Sequence, residues 1–262
     1  MIPKVIHYCW FGKKPLPESA LRCISSWKKH CPEYVIKRWD ESNFSIKKAP
    51  TYVKQAYKMK KWAFVTDYVR LWIVYNYGGV YLDTDVELIK PLDSLLIYDA
   101  FFGFQDLLGN NKKIYIATGL GFGSVEKHLL VNKLMRSYDK LVFIKKDGAI
   151  DMTSCPILNA SIFEEWGFVL NGNTQYINNV RVLSCDYLCP MNYPEKRLLI
   201  TENTISIHHF DASWHKYGRK RQLTLGYLFS SLKHKSVNLT KIGFKKIFGA
   251  KAYNKLKNFI KR

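Results

Sequence analysis

The chain has 262 residues, 47% of them hydrophobic and 15% aromatic, which is enough apolar material to bury one large core. Its 41 Lys and Arg against 21 Asp and Glu give a formal net charge of +20, so an acidic or anionic partner is expected. No internal repeat or low-complexity tract is visible, no apolar run approaches the roughly 20 residues of a membrane span, and the six cysteines lack paired CxxC spacing. They read as reduced thiols of a cytoplasmic protein, and Met1-Ile2-Pro3-Lys4 shows no secretory pattern.

In chain order, Val5 to Trp10 is the opening strand and Phe11-Gly12 its exit. From Lys61 to Tyr77, Trp62, Val65, Tyr68, Val69, Trp72 and Tyr75 recur at three- and four-residue intervals, the pattern of an amphipathic helix that Gly78-Gly79 stops. Asp67 and Arg70 lie three apart on that helix and are therefore neighbours. A charge in so apolar a helix needs a partner or a polar cleft. Val80-Tyr81-Leu82 then forms a short strand ending at Asp83-Thr84-Asp85, whose two carboxylates point to one side if the backbone stays extended. Paired oxygen ligands suit Mg²⁺ or Mn²⁺ completed by substrate phosphates. Taken alone, an acid-x-acid triplet is a common surface turn.

Further on, Ala100 to Phe104 reads as a strand leading into a polar turn at Gln105-Asp106. Ile116 to Ser124 is glycine-rich and precedes a helix expected over Val125 to Leu141; it lacks the Gly-Lys-Ser/Thr ending of a Walker loop. Thr153-Ser154-Cys155-Pro156 starts another element, and Thr204 to Trp214 reads as a strand running into a polar turn.

The string Trp62-Ala63-Phe64-Val65-Thr66-Asp67-Tyr68-Val69-Arg70, followed by Tyr77-Gly78-Gly79-Val80-Tyr81-Leu82-Asp83-Thr84-Asp85, resembles the DXD sugar-binding glycosyltransferases of family 32. Ile2 to Gly12 is similar to that family's first strand, and Ile207 to Trp214 is a weaker match. The resemblance implies an α/β fold of GT-A type, a twisted and mainly parallel sheet flanked by helices, with the donor beyond the carboxyl ends of the strands. It implies a metal-dependent, retaining transfer of a hexose from a nucleotide sugar, UDP-linked in the first reading and GDP-mannose in the second. Asp83 and Asp85 are then expected at the Mn²⁺ or Mg²⁺, with Asp83 also near the donor. Asp67 and Arg70 hold the donor sugar, and Trp10 stacks on the base with Cys9 and Gly12 beside it. A late metal ligand is placed at His209, with His208 and Asp211 as alternatives, because adjacent strand residues face opposite ways. Ser213 and Trp214 close over the diphosphate. Gln105 and Asp106 are acceptor-side candidates.

No acidic residue follows Asp211, and residues 212 to 262 hold 14 Lys or Arg, which leaves only +6 for the rest of the chain. Leu225, Leu228, Phe229 and Leu232, then Ile242 through Ile260, alternate with lysines in helical patterns. The expected organisation is a catalytic domain over 1–215 and a basic amphipathic tail over 216–262 that meets an anionic membrane surface. No nucleic-acid motif accompanies the charge. The expected location is the cytoplasmic face of a bacterial membrane, the expected acceptor a lipid-linked glycan of capsule or O-antigen synthesis. The competing expectation is a non-catalytic scaffold for such assembly.

Overall fold

The computed structural model describes residues 1–107, 113–192 and 197–210. The first half contains β1 (Val5–Cys9), α1 (Glu18–His30), β2 (Val35–Trp39), α2 (Thr51–Lys58), α3 (Trp62–Tyr77), β3 (Gly79–Tyr81) and β4 (Val86–Leu88). The second contains β5 (Ala100–Leu107), β6 (Lys113–Ala117), β7 (Phe122–Ser124), α4 (Leu129–Arg136), α5 (Cys155–Glu165), β8 (Gln175–Ile177), β9 (Val180–Leu183), α6 (Cys185–Leu188), β10 (Met191–Asn192), β11 (Arg197–Leu198) and β12 (Ser206–His208). An eight-stranded sheet runs β2-β1-β3-β7-β5-β9-β8, with β6 branching from β5. β1 is parallel to β2 and β3, and β5 to β9, while β6, β7 and β8 oppose their neighbours. Five of the eight strands therefore share one direction, as the GT-A expectation requires, and the helices cover both faces.

Strand alternation sorts the core into two layers. Ile6 and Tyr8 of β1, with Val80 of β3, pack on the side of Cys23, Ile24 and Trp27 of α1. Cys9 of β1, with Tyr81 and Phe102, packs on the side of Val65, Val69 and Ile73 of α3. The expected amphipathic α3 is instead buried over most of its circumference, including Asp67 and Arg70, because it packs against β1 and β3 as well as α2 and α4. Gly78 caps it at φ 62, and β3 begins one residue later. The helix expected over Val125 to Leu141 is shorter: Lys127 takes a left-handed φ of 60 and the His128 ring accepts the Leu130 amide, so α4 starts at Leu129. A 3-10 turn over Ser137–Lys140 follows it.

His7 locks the first strand to its surroundings. Its Nδ1 accepts the indole N–H of Trp39 at 3.1 Å, which leaves Nε2 to donate to the Gly78 carbonyl at 3.1 Å and specifies the neutral ring. Burial lowers its pKa from 6.5 to about 4. Between these values the unfolded chain binds a proton that the folded chain excludes, so stability is full above pH 6.5 and falls as the pH drops through this window. The expected loss by pH 4 is about 3 kcal/mol, measured by urea unfolding across pH. His7→Gln should flatten the slope, and an unchanged slope would remove His7 as its source.

Candidate functional site

The chain leaves β3 through a turn, not an extended strand. Val86 N–H bonds the Asp83 carbonyl at 3.0 Å, and this turn, rather than strand alternation, brings the carboxylates of Asp83 and Asp85 together. β12 lies antiparallel against β4, with His208 opposite Val86. The register decides between the adjacent histidines. His208 Nε2 lies 3.4 Å from Asp85 Oδ1, whereas His209 turns to Glu87 Oε2 at 2.9 Å and sends its backbone N–H to the Asp85 carbonyl. Ligand atoms of Asp83, Asp85 and His208 fall within 4.8 Å of one another. His208 therefore joins the two aspartates in place of the expected His209.

Behind this group sits Arg70, its side chain 4% exposed, with Nη2 at 3.2 Å from both Asp67 Oδ1 and Asp83 Oδ1. Its Nε donates to the Thr66 carbonyl at 3.2 Å, which directs the guanidinium toward the carboxyl edge of the sheet. The Tyr81 hydroxyl donates to Asp83 Oδ1 at 2.8 Å, and Arg70 lies over the Tyr81 ring. Burial pushes the Asp67 pKa up to about 6, with Arg70 opposing the shift, Asp83 adding to it and the neighbouring Cys155 thiol lowering it. Burial likewise raises Asp83, against the attraction of Arg70. Three carboxylates against one guanidinium leave an excess of two negative charges when all are ionised. That excess, with two oxygen donors and one imidazole nitrogen converging on one spot, fits a divalent cation of the Mn²⁺ or Mg²⁺ type.

The remaining sequence candidates are distributed as follows. Cys9 is buried beside Arg70 and Asp83, and burial pushes its thiol up, so it is a wall behind the carboxylates. Trp10 is half-buried at the end of β1, its indole N–H donating to the Lys14 carbonyl at 2.7 Å. Gly12, at φ 92, makes its close approach to Trp62: an added Cβ would lie 2.7 Å from that ring. Gln105 and Asp106 occupy successive positions near the carboxyl end of β5, opposite Tyr115 and Ile114 of β6. Asp211, Ser213, Trp214 and the tail lie outside the described residues.

Sequence patterning passed over three contributors. Tyr81 reads as strand filler, yet its hydroxyl orients Asp83. Cys155, the first residue of α5, meets Asp67 and lies 3.9 Å from the Thr118 hydroxyl. Gly119 backs directly onto the charged group, since a Cβ there would lie 2.8 Å from both Arg70 Nη1 and Asp83 Oδ2. The glycine-rich run 116–124 contained the only signal for this contact.

Residues 17–102 match the family described as a glycosyltransferase sugar-binding region containing the DXD motif. The match is confined to this stretch of the chain. Its stretch spans α1 through the start of β5 and includes Asp67, Arg70, Asp83 and Asp85. Among curated proteins, the region's relatives include inositol phosphoceramide mannosyltransferase 3 of Schizosaccharomyces pombe, 36% identical over 107 residues that make up 38% of this chain and 29% of that protein. Mannosyl phosphorylinositol ceramide synthase SUR1 of Saccharomyces cerevisiae is 28% identical over 68% of this chain and 46% of its own length. The chain thus spans less than half of either relative. Among solved structures, the galactosyltransferase LgtC in complex with donor and acceptor sugar analogs is 13% identical, covering 92% of this chain and 99% of that one at a TM-score of 0.44.

Proposed function

We propose that this chain is a metal-dependent glycosyltransferase acting on a nucleotide-sugar donor. The observation that carries the reading is the convergence of Asp83, Asp85 and His208 on one spot, backed by the buried Asp67–Arg70 pair, within a sugar-binding sequence region. A bound divalent cation would neutralise the diphosphate leaving group as the anomeric bond breaks. Asp85 and His208 would hold that cation, with Asp83 sharing it. Arg70 holds Asp83 in place and, with Asp67, meets the donor sugar hydroxyls. Trp10 would stack on the base, and a role for Ser213 and Trp214 at the diphosphate follows from the family 32 resemblance alone. Retention of configuration and a UDP-hexose donor follow from the family 32 resemblance. A mannose donor is the second reading, favoured by the names of the two yeast relatives. Those names also favour an acceptor carried on a lipid, consistent with a lipid-linked glycan and with the basic tail at 216–262 as a membrane element. Among the described residues no helix is long and apolar enough to cross a membrane.

The test is a panel of UDP- and GDP-sugars with purified protein and Mn²⁺, scored for donor turnover with and without a chelator. Turnover of at least one donor that the chelator abolishes is expected, and no metal-dependent turnover of any donor would overturn the reading. Two variants refine it. His208→Ala should weaken Mn²⁺ binding at least tenfold, about what disturbing a ligand shell costs, while His209→Ala changes it little; the reverse order would return the role to His209. Gly119→Ala, at a backbone angle any residue accepts, should reduce donor turnover about tenfold or more by pushing on Arg70 and Asp83. Wild-type turnover in a folded Gly119→Ala would show that the contact yields freely.

A further inference from the structure

Residues 42–66 contain no acidic residue and six lysines: Lys47, Lys48, Lys54, Lys58, Lys60 and Lys61. The fold gathers them at one corner. Lys47 and Lys48 lie on the 3-10 turn Ile46–Lys48 that packs on α2. Lys54 and Lys58 stand one turn apart on the exposed side of α2, and Lys60, at a left-handed φ of 55, leads with Lys61 into α3. Lys13 and Lys14 join them from the loop after β1, because Gly12 abuts Trp62, the residue next to Lys61. Seven of these eight lysines are exposed, and among the described residues none forms an ion pair with a carboxylate. Glu41 faces this corner, and its Oε1 already accepts the Gly12 amide at 2.8 Å and the Tyr57 hydroxyl at 3.1 Å. Asp139, on the Ser137–Lys140 turn that packs on α2, is paired with Arg136 at 3.2 Å. At the crest, between Lys58 and Lys60, Met59 is 41% exposed.

A dense positive field around one protruding apolar side chain is complementary to an anionic bilayer, where lysines meet headgroup charge and the apolar tip enters the layer beneath. A single-stranded nucleic acid would instead require exposed rings for stacking, and the aromatic here, Trp62, is packed against Tyr57 at 5.2 Å and against Gly12. We propose that the α2–α3 corner docks the sugar-binding region on an anionic lipid surface, with Met59 entering the headgroup layer and the Trp10 edge of the cleft held toward the membrane. Only the purpose of the docking, delivery of a lipid-borne acceptor, rests on the function proposed above.

The test uses the full chain and phosphatidylcholine vesicles with and without phosphatidylglycerol. A basic side chain near such a surface changes partition about fivefold. The variant Lys54→Gln/Lys58→Gln/Lys60→Gln/Lys61→Gln should therefore lose at least tenfold in binding to the anionic vesicles, whereas Lys28→Gln/Lys29→Gln/Lys37→Gln/Lys127→Gln, with the same loss of charge on α1 and at the opposite end of α3, where Lys37 and Lys127 lie against Tyr77 and Tyr75, should lose much less. Equal losses would overturn the proposal, since net charge alone would then govern binding. A fluorophore on Met59→Cys should shift to shorter wavelength on anionic vesicles, and an unchanged spectrum would also overturn it. So would a corner variant that loses affinity for a single-stranded RNA oligonucleotide but not for vesicles. Donor turnover without vesicles should be the same in the corner variant and the wild type. Absence of turnover in both would count against the enzymatic reading and leave the vesicle result standing.

Discussion

Asp85→Asn is expected to abolish metal-dependent sugar transfer, by about 10³-fold or more, while leaving the fold intact. The side chain sits on a turn with 19% exposure and touches His208, so an isosteric amide preserves shape and packing while removing one negative charge and a metal-binding oxygen. Two measurements separate this from unfolding: Mn²⁺ binding should fall steeply, and the thermal midpoint should stay within a few degrees of wild type. Because the site has an excess of two negative charges without metal, relieving one can even raise the metal-free midpoint slightly. Full activity in Asp85→Asn would sink the assignment of the DXD motif.

A different failure is expected at Arg70. Arg70→Met keeps most of the side-chain volume but leaves Asp67 and Asp83 facing each other in the interior, and breaking a buried ion network of this kind costs about 3 to 5 kcal/mol. Asp67, already pushed up to about 6 by burial, loses its principal opposing charge. Activity should fall as well, since Asp83 loses one of the two groups that orient it. Arg70→Lys should restore little, because one ammonium cannot reach two carboxylates 3.2 Å from the same guanidinium nitrogen and also replace the bond to Thr66. Adding Asp67→Asn to Arg70→Met should recover part of the stability, which a double-mutant cycle in urea would quantify. A loss below about 1 kcal/mol for Arg70→Met would show that water reaches and solvates the pair.

Much of the local structure was legible because it depends on neighbours in the chain. The apolar recurrence over Trp62 to Tyr77 set the helix to within one residue, and Gly78-Gly79 set its end. The Asp67–Arg70 spacing was visible for the same reason, since residues three apart on a helix are neighbours; the acidic triplet was visible as a pattern, but a turn and not strand alternation brings its carboxylates together. The extent of α4 was misread because apolar periodicity continues through Val125 and Leu141, whereas the left-handed Lys127 and the His128 cap delay its start to Leu129 and a 3-10 turn over Ser137–Lys140 replaces its last turn.

The amino-acid sequence by itself determined the charged residues, the order of the elements and the two-sided apolar pattern of the strands. Only the tertiary structure decided which late histidine stands beside Asp85, because that choice is a one-residue matter of register between β12 and β4, more than a hundred positions apart, and each step of register reverses the face a side chain takes. It also decided that Tyr81, Cys155 and Gly119 belong to the charged group. A hydroxyl, a thiol and a bare backbone carry no pattern of their own and gain their roles only from what the sheet edge sets against them. The lysines of residues 47–61 were countable from the start, but only the packing of Gly12 on Trp62 joined them to Lys13 and Lys14 of the loop after β1.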